Sequence, residues 1–401
     1  MRKIALLVIG VLILAGVVSA GTRFSAPIPS ASLVSSGSPI VVVLPGQRQP
    51  LVNVAQGSLA AVAGGMRFES IDADTAKPIA SIAKVMTALA VLDLHPLTPN
   101  QAGPTITLSN SDVAFWNQVV AENGSNLPVT AGEILNEQDL LEALLLPSAN
   151  NIAFTLAVWT DGSVSQFLVR LNSKAVALGL TKTNFTDPSG LDIGTVSSAN
   201  DLLNLAQVAM NNPTFAQIVA LATATLSNGQ TVTNRDQDLA IPGWLGIKTG
   251  TTDAAGYCLM FAVQRVLSGS SQPVTVFGVL LSQADSQTMF SLASQIADSV
   301  FANLGWVDVS NLAPVLNVQL HDAWHTTVPV NVGKPTAHEL LTAVGTRISL
   351  TLKPQLTFEN EAPGTRVGEL DATVGGTGIS WPLTLASALP PAPINWRLLR
   401  N

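Results

Sequence analysis

Apolar residues in this chain fall into three textures. The first is an uncharged run from Ile4 to Ala20, led by Arg2 and Lys3 and closing on Val18-Ser19-Ala20. A basic lead, an apolar stretch and a small-x-small ending are the parts of an export signal, and the basic end stays cytoplasmic. The run is slightly long for a signal peptide and slightly short for a spanning helix. Residues 1–20 are therefore expected to be a signal peptide or an N-terminal membrane anchor. Residues 21–45, rich in Ser, Pro, Gly and Ala, read as a tether.

The second texture alternates strand and helix patterns. Leu59–Val62 and Met66–Ile71, split by Gly64-Gly65, predict a hairpin. Ile82, Val85, Met86, Leu89 and Leu92 recur at helical spacing and predict a helix over Ile79–Leu94. Further helices are expected at Leu140–Leu146, Phe167–Leu178, Asp201–Met210 and Ser286–Leu304. Trp244–Thr249, Tyr257–Val266 and Pro273–Leu281 read as consecutive strands. Strands at both ends with helices between predict an α/β sandwich, an antiparallel sheet carrying helices from the middle of the chain.

The third texture begins near residue 310. Val315–Leu320, Thr326–Val332, Thr346–Phe358, Thr365–Val374 and Ile379–Leu385 are short β-rich runs broken by Gly, Pro and Asn. They predict a small all-β domain. The expected organisation is thus a main domain over 46–308, a β-rich C-terminal domain over 312–388 and a tail over 389–401.

Composition narrows the function. The 401 residues carry 19 Lys+Arg and 26 Asp+Glu, a net charge of −7. With so few cations there is no basic stripe to neutralise phosphates, so no nucleic-acid partner is expected. The single cysteine, Cys258, excludes an intramolecular disulfide framework and a multi-cysteine zinc site, and an apolar strand around it reads as core. His321 and His325 have the spacing of a helical metal pair but lie in strand-like sequence without a third ligand, so no metal is assigned.

Three motifs carry chemistry. Ser81-Ile82-Ala83-Lys84 sets a hydroxyl and an amine one turn apart on the same helix face. Such a serine becomes a nucleophile if the lysine pKa is depressed. Alone, the pair is more often a helix start with a solvated lysine. Ser148-Ala149-Asn150 follows an apolar helix and by itself reads as a cap or turn. Lys248-Thr249-Gly250 sits in a strand, where glycine allows a peptide backbone to come close.

Together and in this order, the three motifs match the signature of serine penicillin-recognising enzymes. The flanking sequences Pro78–Thr87, Leu144–Asn151, Phe185–Asp192, Gly246–Gly250 and Ala255–Leu259 resemble the D-alanyl-D-alanine carboxypeptidases. These are the low-molecular-mass penicillin-binding proteins of peptidase family S11. The likeness covers about residues 50–305, and the β-rich remainder is similar to their C-terminal domain around Arg366–Leu370.

The resemblance implies the serine β-lactamase/DD-peptidase type of sandwich, with helices on both sheet faces, a helical insertion, and a role in peptidoglycan and cell-wall metabolism. It implies Ser81 as nucleophile, Lys84 as base and Ser148 as proton relay. Asn150, Lys248, Thr249, Gly250 and Thr251 would bind a peptidoglycan stem peptide or a β-lactam antibiotic. No metal or organic cofactor is implied, and localisation is expected at the outer side of the bacterial envelope. Thr251 and Asn151 depart from the residues usual in the family. The alternatives are a class A-like β-lactamase, which needs a loop glutamate missing from Phe185–Asp192, and a non-catalytic wall-binding member.

Overall fold

The computed structural model describes residues 2–28, 32–35, 40–43, 52, 57–64, 66–268, 271–309, 318–321, 324, 327–336, 339–354, 361–374 and 377–399. Two units result: residues 48–304, and residues 1–47 together with 305–401.

The first unit is built on a five-stranded sheet. Its strands are β1 (Ser58–Ala63), β2 (Met66–Glu69), β3 (Trp244–Thr252), β4 (Gly256–Val266) and β5 (Pro273–Gln283). Their order is β3-β4-β5-β1-β2, every pair antiparallel, so β3 is an edge. Along β4 the side chains alternate between two cores. Cys258, Met260 and Ala262 join the large helical core, while Leu259, Phe261 and Val263 are buried outside it. A sheet apolar on both faces needs helices on both, and it has them.

Among the described residues, eight α-helices complete this unit: α1 (Ala83–Leu94), α2 (Asn110–Ala121), α3 (Glu137–Leu145), α4 (Asn150–Asp161), α5 (Val164–Ala177), α6 (Ala199–Met210), α7 (Pro213–Val219) and α8 (Ser286–Ala302). Helix α1 is buried from Ala83 to Leu92 and packs on α3, α4, α5 and α6. Its all-round apolarity suits a helix walled in on every side. Helices α6 and α8 both pack on β4 and β5.

The predicted elements recur with small shifts, and α2, α4 and α7 are additional. Helix α2 buries little beyond Asp112 and Val119, so it has no apolar stripe to read. Its Ser109–Asp112 capping box is the signal that marks it. Helix α4 starts at Asn150 behind Ala149, with no side-chain cap.

Glu137, at the start of α3, is fully buried, and neither carboxylate oxygen has a hydrogen-bond partner among the described residues. Burial raises its pKa from 4.5 to about 7. The folded state thus holds this proton where the unfolded chain has released it. The stability linked to Glu137 is complete below pH 4.5 and is lost as the pH rises through about 7, a fall on the order of 3 kcal/mol. Glu137→Gln is expected to raise the thermal midpoint on the alkaline side of that window and leave it nearly unchanged on the acid side. Melting curves on both sides check this.

The second unit centres on a seven-stranded antiparallel sheet. In spatial order its strands are Ser32–Ser35, Val318–His321, Thr327–Val332, Thr377–Leu385, Arg366–Val374, Arg347–Pro354 and Ile40–Val43. Trp381, Leu370, Val367 and Leu383 are fully buried in its core. Two strands here come from the stretch read as a tether. Ser32–Ser35 pairs with Val318–His321, and Ile40–Val43 with Arg347–Leu350. Ile40-Val41-Val42-Val43 is β-branched throughout, a local signal that the Ser- and Pro-rich average hides. Other parts of the tether, along with Val315, His325, Thr326 and Phe358, lie outside the described residues, as does the side chain of His321.

Arg2–Ser25 forms a helix. Among the described residues no single helix is long and apolar enough to cross a membrane.

Candidate active site

The three motifs meet where α1 begins. Ser81 lies in a 3-10 turn, Ala80–Ile82, that runs directly into α1, so the predicted helix start is a tighter turn than expected. From α1, Lys84 reaches back. Its Nζ donates to Ser81 Oγ, to Asn150 Oδ1 and to the Ser189 carbonyl, each at 2.7 Å. Lys84 is completely buried, and its pKa is held well below 10.5. Desolvation is the main cause and the nearby Lys248 charge the second, with Arg235 adding and Asp187 opposing.

Strand β3 supplies the other wall. Lys248 is buried as well, and its pKa falls to about 7 through desolvation and the Arg235 charge, with Asp236 opposing. Asp236 is itself buried and accepts from Trp244 Nε1 at 2.9 Å. At Gly250 a side chain would crowd the Ser81 turn, since a Cβ there would lie 3.0 Å from the Ser81 amide nitrogen. That close approach is why β3 carries glycine at this position. Thr249 and Thr251, half-buried and exposed, line a cavity of about 310 Å³ together with Arg235, Met289 and Phe290.

Ser148 and Asn150 close the third side. Asn150 opens α4 and is tied to Lys84, while Asn151 is structural, pairing both ways with the Leu127 backbone. Ser148 is buried, and its Oγ has no hydrogen-bond partner among the described residues. No hydrogen bond thus joins Ser148 to Ser81 or Lys84. Its backbone sits at φ 68°, and that of Ala80 at φ 47°. Left-handed conformations at two non-glycine residues place strain beside the reactive groups.

Four groups here were given no role from sequence. Ser189 contributes a main-chain carbonyl, which no residue type announces. Asp187 folds the loop that presents it, accepting from the amides of Ser189, Gly190 and Leu191 and from Thr195 Oγ1. The Asp-Pro-Ser-Gly run was a turn signal for this. Arg235 donates from Nε to the Pro147 carbonyl, joining its loop to the Ser148 turn, and Asp236 faces Lys248 as counter-charge.

Gly190 is the tightest point of the loop. It has φ +82°, and a Cβ would fall 1.8 Å from the Ala80 carbonyl oxygen. Gly190→Ala is expected to lower stability by about 2–5 kcal/mol, from backbone strain plus overpacking. It is also expected to slow serine acylation about 10²-fold by shifting the Ser81 turn. A thermal midpoint and an acylation time course check both effects.

Residues 62–271 match the model of peptidase family S11, described as D-alanyl-D-alanine carboxypeptidase, and the chain belongs to that family. It is similar to the D-alanyl-D-alanine carboxypeptidase DacB2 of Mycobacterium tuberculosis, 37% identical over 201 residues, or 48% of this chain and 65% of that one. The D-alanyl-D-alanine carboxypeptidase of Streptomyces sp. strain K15 is 30% identical over 280 residues, covering 63% of this chain and 91% of its own. The crystal structure of the Streptomyces K15 DD-transpeptidase superposes with a TM-score of 0.56 at 28% identity, covering 63% of this chain and all of that one. A D-alanyl-D-alanine endopeptidase of Escherichia coli is 29% identical over 249 residues, 60% of this chain and 73% of its own. The α/β sandwich with helices on both faces is therefore the DD-peptidase fold.

Proposed function

We propose that the chain is a serine-type D-Ala-D-Ala carboxypeptidase that trims peptidoglycan stem pentapeptides through an acyl-enzyme on Ser81, and that β-lactams acylate the same serine. The observation that carries this reading is the Lys84 amine, buried with its Nζ 2.7 Å from Ser81 Oγ, Asn150 Oδ1 and the Ser189 carbonyl oxygen. A neutral amine keeps two N–H donors and one lone pair. The donors suit Asn150 Oδ1 and the Ser189 carbonyl, leaving the lone pair for the Ser81 hydroxyl proton.

Attack by Ser81 Oγ forms the ester bond and makes an oxyanion, which the Ser81 and Thr251 amides would stabilise. As the C–N bond breaks, the proton taken by Lys84 passes through Ser148 to the departing D-alanine amine. The Ser148 hydroxyl, without a hydrogen-bond partner among the described residues, is uncommitted and so open to that relay. Lys248, Thr249 and the Arg235 guanidinium hold the terminal carboxylate, and Asn150 binds a substrate amide. Water then cleaves the ester and regenerates Ser81.

Envelope localisation follows from the peptidoglycan substrate. The N-terminal run serves as export signal or single anchor; its helix leaves Ile9, Val11, Leu12, Ile13 and Leu14 more than half exposed, a surface suited to lipid or to removal.

The test is incubation of the purified chain with a fluorescent penicillin, followed by intact-mass analysis and a D-alanine release assay. A single slowly clearing adduct on Ser81, with D-alanine release, is expected. Rapid drug turnover without an adduct would replace this reading with a β-lactamase. A folded chain that does neither would be a non-catalytic wall protein.

A further inference from the structure

We propose that the turn at residues 122–126, where α2 ends, sets the position of the Asn150 side chain, with Gly124 and Trp116 as its positioning residues. This deepens the carboxypeptidase reading and rests on it. Asn150 has two duties in that reading. Its Oδ1 accepts from Lys84 Nζ at 2.7 Å, and its Nδ2 carries the donors left for a substrate amide carbonyl. It is also the first residue of α4, a helix without a capping side chain. The first amides of a helix need acceptors from outside it. The Ser125 carbonyl supplies one, accepting from the Asn150 amide at 2.7 Å, so the turn fixes the Asn150 backbone.

The turn is built on the end of α2. Asn123 sits at φ 53°, its amide bonded to the Val120 carbonyl and the Gly124 amide to the Val119 carbonyl. Such a pair of bonds closes a helix on a left-handed residue. Asn126 then clips the turn to the helix. Its Nδ2 donates to the Gly124 carbonyl at 2.9 Å, and its Oδ1 accepts from Trp116 Nε1 at 3.0 Å. Gly124 lies against the Asn150 amide itself. A Cβ there would fall 2.8 Å from Asn150 Nδ2 and 2.9 Å from Val119 Cγ1. Gly124 is not at positive φ, so this close contact, and not the backbone, is what asks for glycine.

The experiment uses the full chain and a fluorescent penicillin, and reads the second-order acylation rate against pH beside a melting curve. Gly124→Ala, which pushes the Asn150 amide aside, is expected to slow acylation about 10²-fold. Trp116→Phe keeps an aromatic ring and deletes the N–H donor, and should slow it about fivefold, the weight of one hydrogen bond. Both should move the acid limb of the profile to lower pH. Asn150 Oδ1 binds the Lys84 ammonium more strongly than the amine, so weakening that bond lowers the Lys84 pKa further. Lys248, Arg235 and Asp187, the charges that act on Lys84, are unchanged in both variants. In an Asn150→Ala background neither substitution should slow acylation again, because the group they position is gone. A slowing that persists in that background overturns the positioning role and leaves the carboxypeptidase standing. An acid limb that stays in place in both single variants does the same, and decides the matter should Asn150→Ala not fold. If the folded wild type takes no adduct and releases no D-alanine, the carboxypeptidase reading fails and takes this assignment with it.

Discussion

Ser81→Ala is expected to abolish D-alanine release and penicillin acylation together, with kcat falling about 10⁶-fold, the scale seen when a serine nucleophile is removed. The substitution deletes only Oγ. Lys84 keeps two of its three acceptors, Asn150 Oδ1 and the Ser189 carbonyl, so the buried amine stays satisfied and the thermal transition should not move. Intact mass after incubation with a fluorescent penicillin checks the chemistry, and a melting curve checks the fold. An adduct on the variant would mean that the nucleophile lies elsewhere.

The second large effect concerns the base. Lys84→Met, similar in length and suited to burial, is expected to reduce kcat/KM by about 10⁴-fold, the upper end for general-base catalysis. The pH profile separates this role from a packing defect. Burial and the Lys248 charge hold the Lys84 pKa well below 10.5, which favours the neutral amine, and activity is expected to fall as acid reprotonates it. Lys248 is expected to act in the opposite sense, since the proposed carboxylate contact requires its charge, which is lost as the pH rises through about 7. The wild type should give a bell-shaped kcat/KM profile. The residual activity of Lys84→Met should lose the acid limb and keep the alkaline one. A variant whose bell keeps both limbs would exclude Lys84 as the base.

Much of this candidate site is legible in sequence because the side chains proposed to react lie at short, regular spacing. Ser81 and Lys84 are a helical turn apart, and Lys248-Thr249-Gly250 needs only a strand to be read. The groups that escaped detection act through the backbone or from a distance. The Ser189 carbonyl has no residue signature, and Asp187 works by shaping a loop. Arg235 and Asp236 matter because folding sets one beside the Thr249 cavity and the other beside the Lys248 charge. In the fold, α2 was missed because it buries almost nothing, and the strands at Ser32–Ser35 and Ile40–Val43 because their partners lie about 300 residues away in the chain.

Local pattern alone thus determined the sandwich, the β-rich C-terminal region and the order of the three motifs, since each depends on periodicity or spacing within one stretch of chain. Tertiary structure alone decided that two lysines share a dry pocket, that Gly190 must lack a side chain beneath Ala80, and that a cavity opens beside Thr251. Those facts depend on desolvation and on contacts between segments far apart in sequence, and neither quantity exists until the chain has folded.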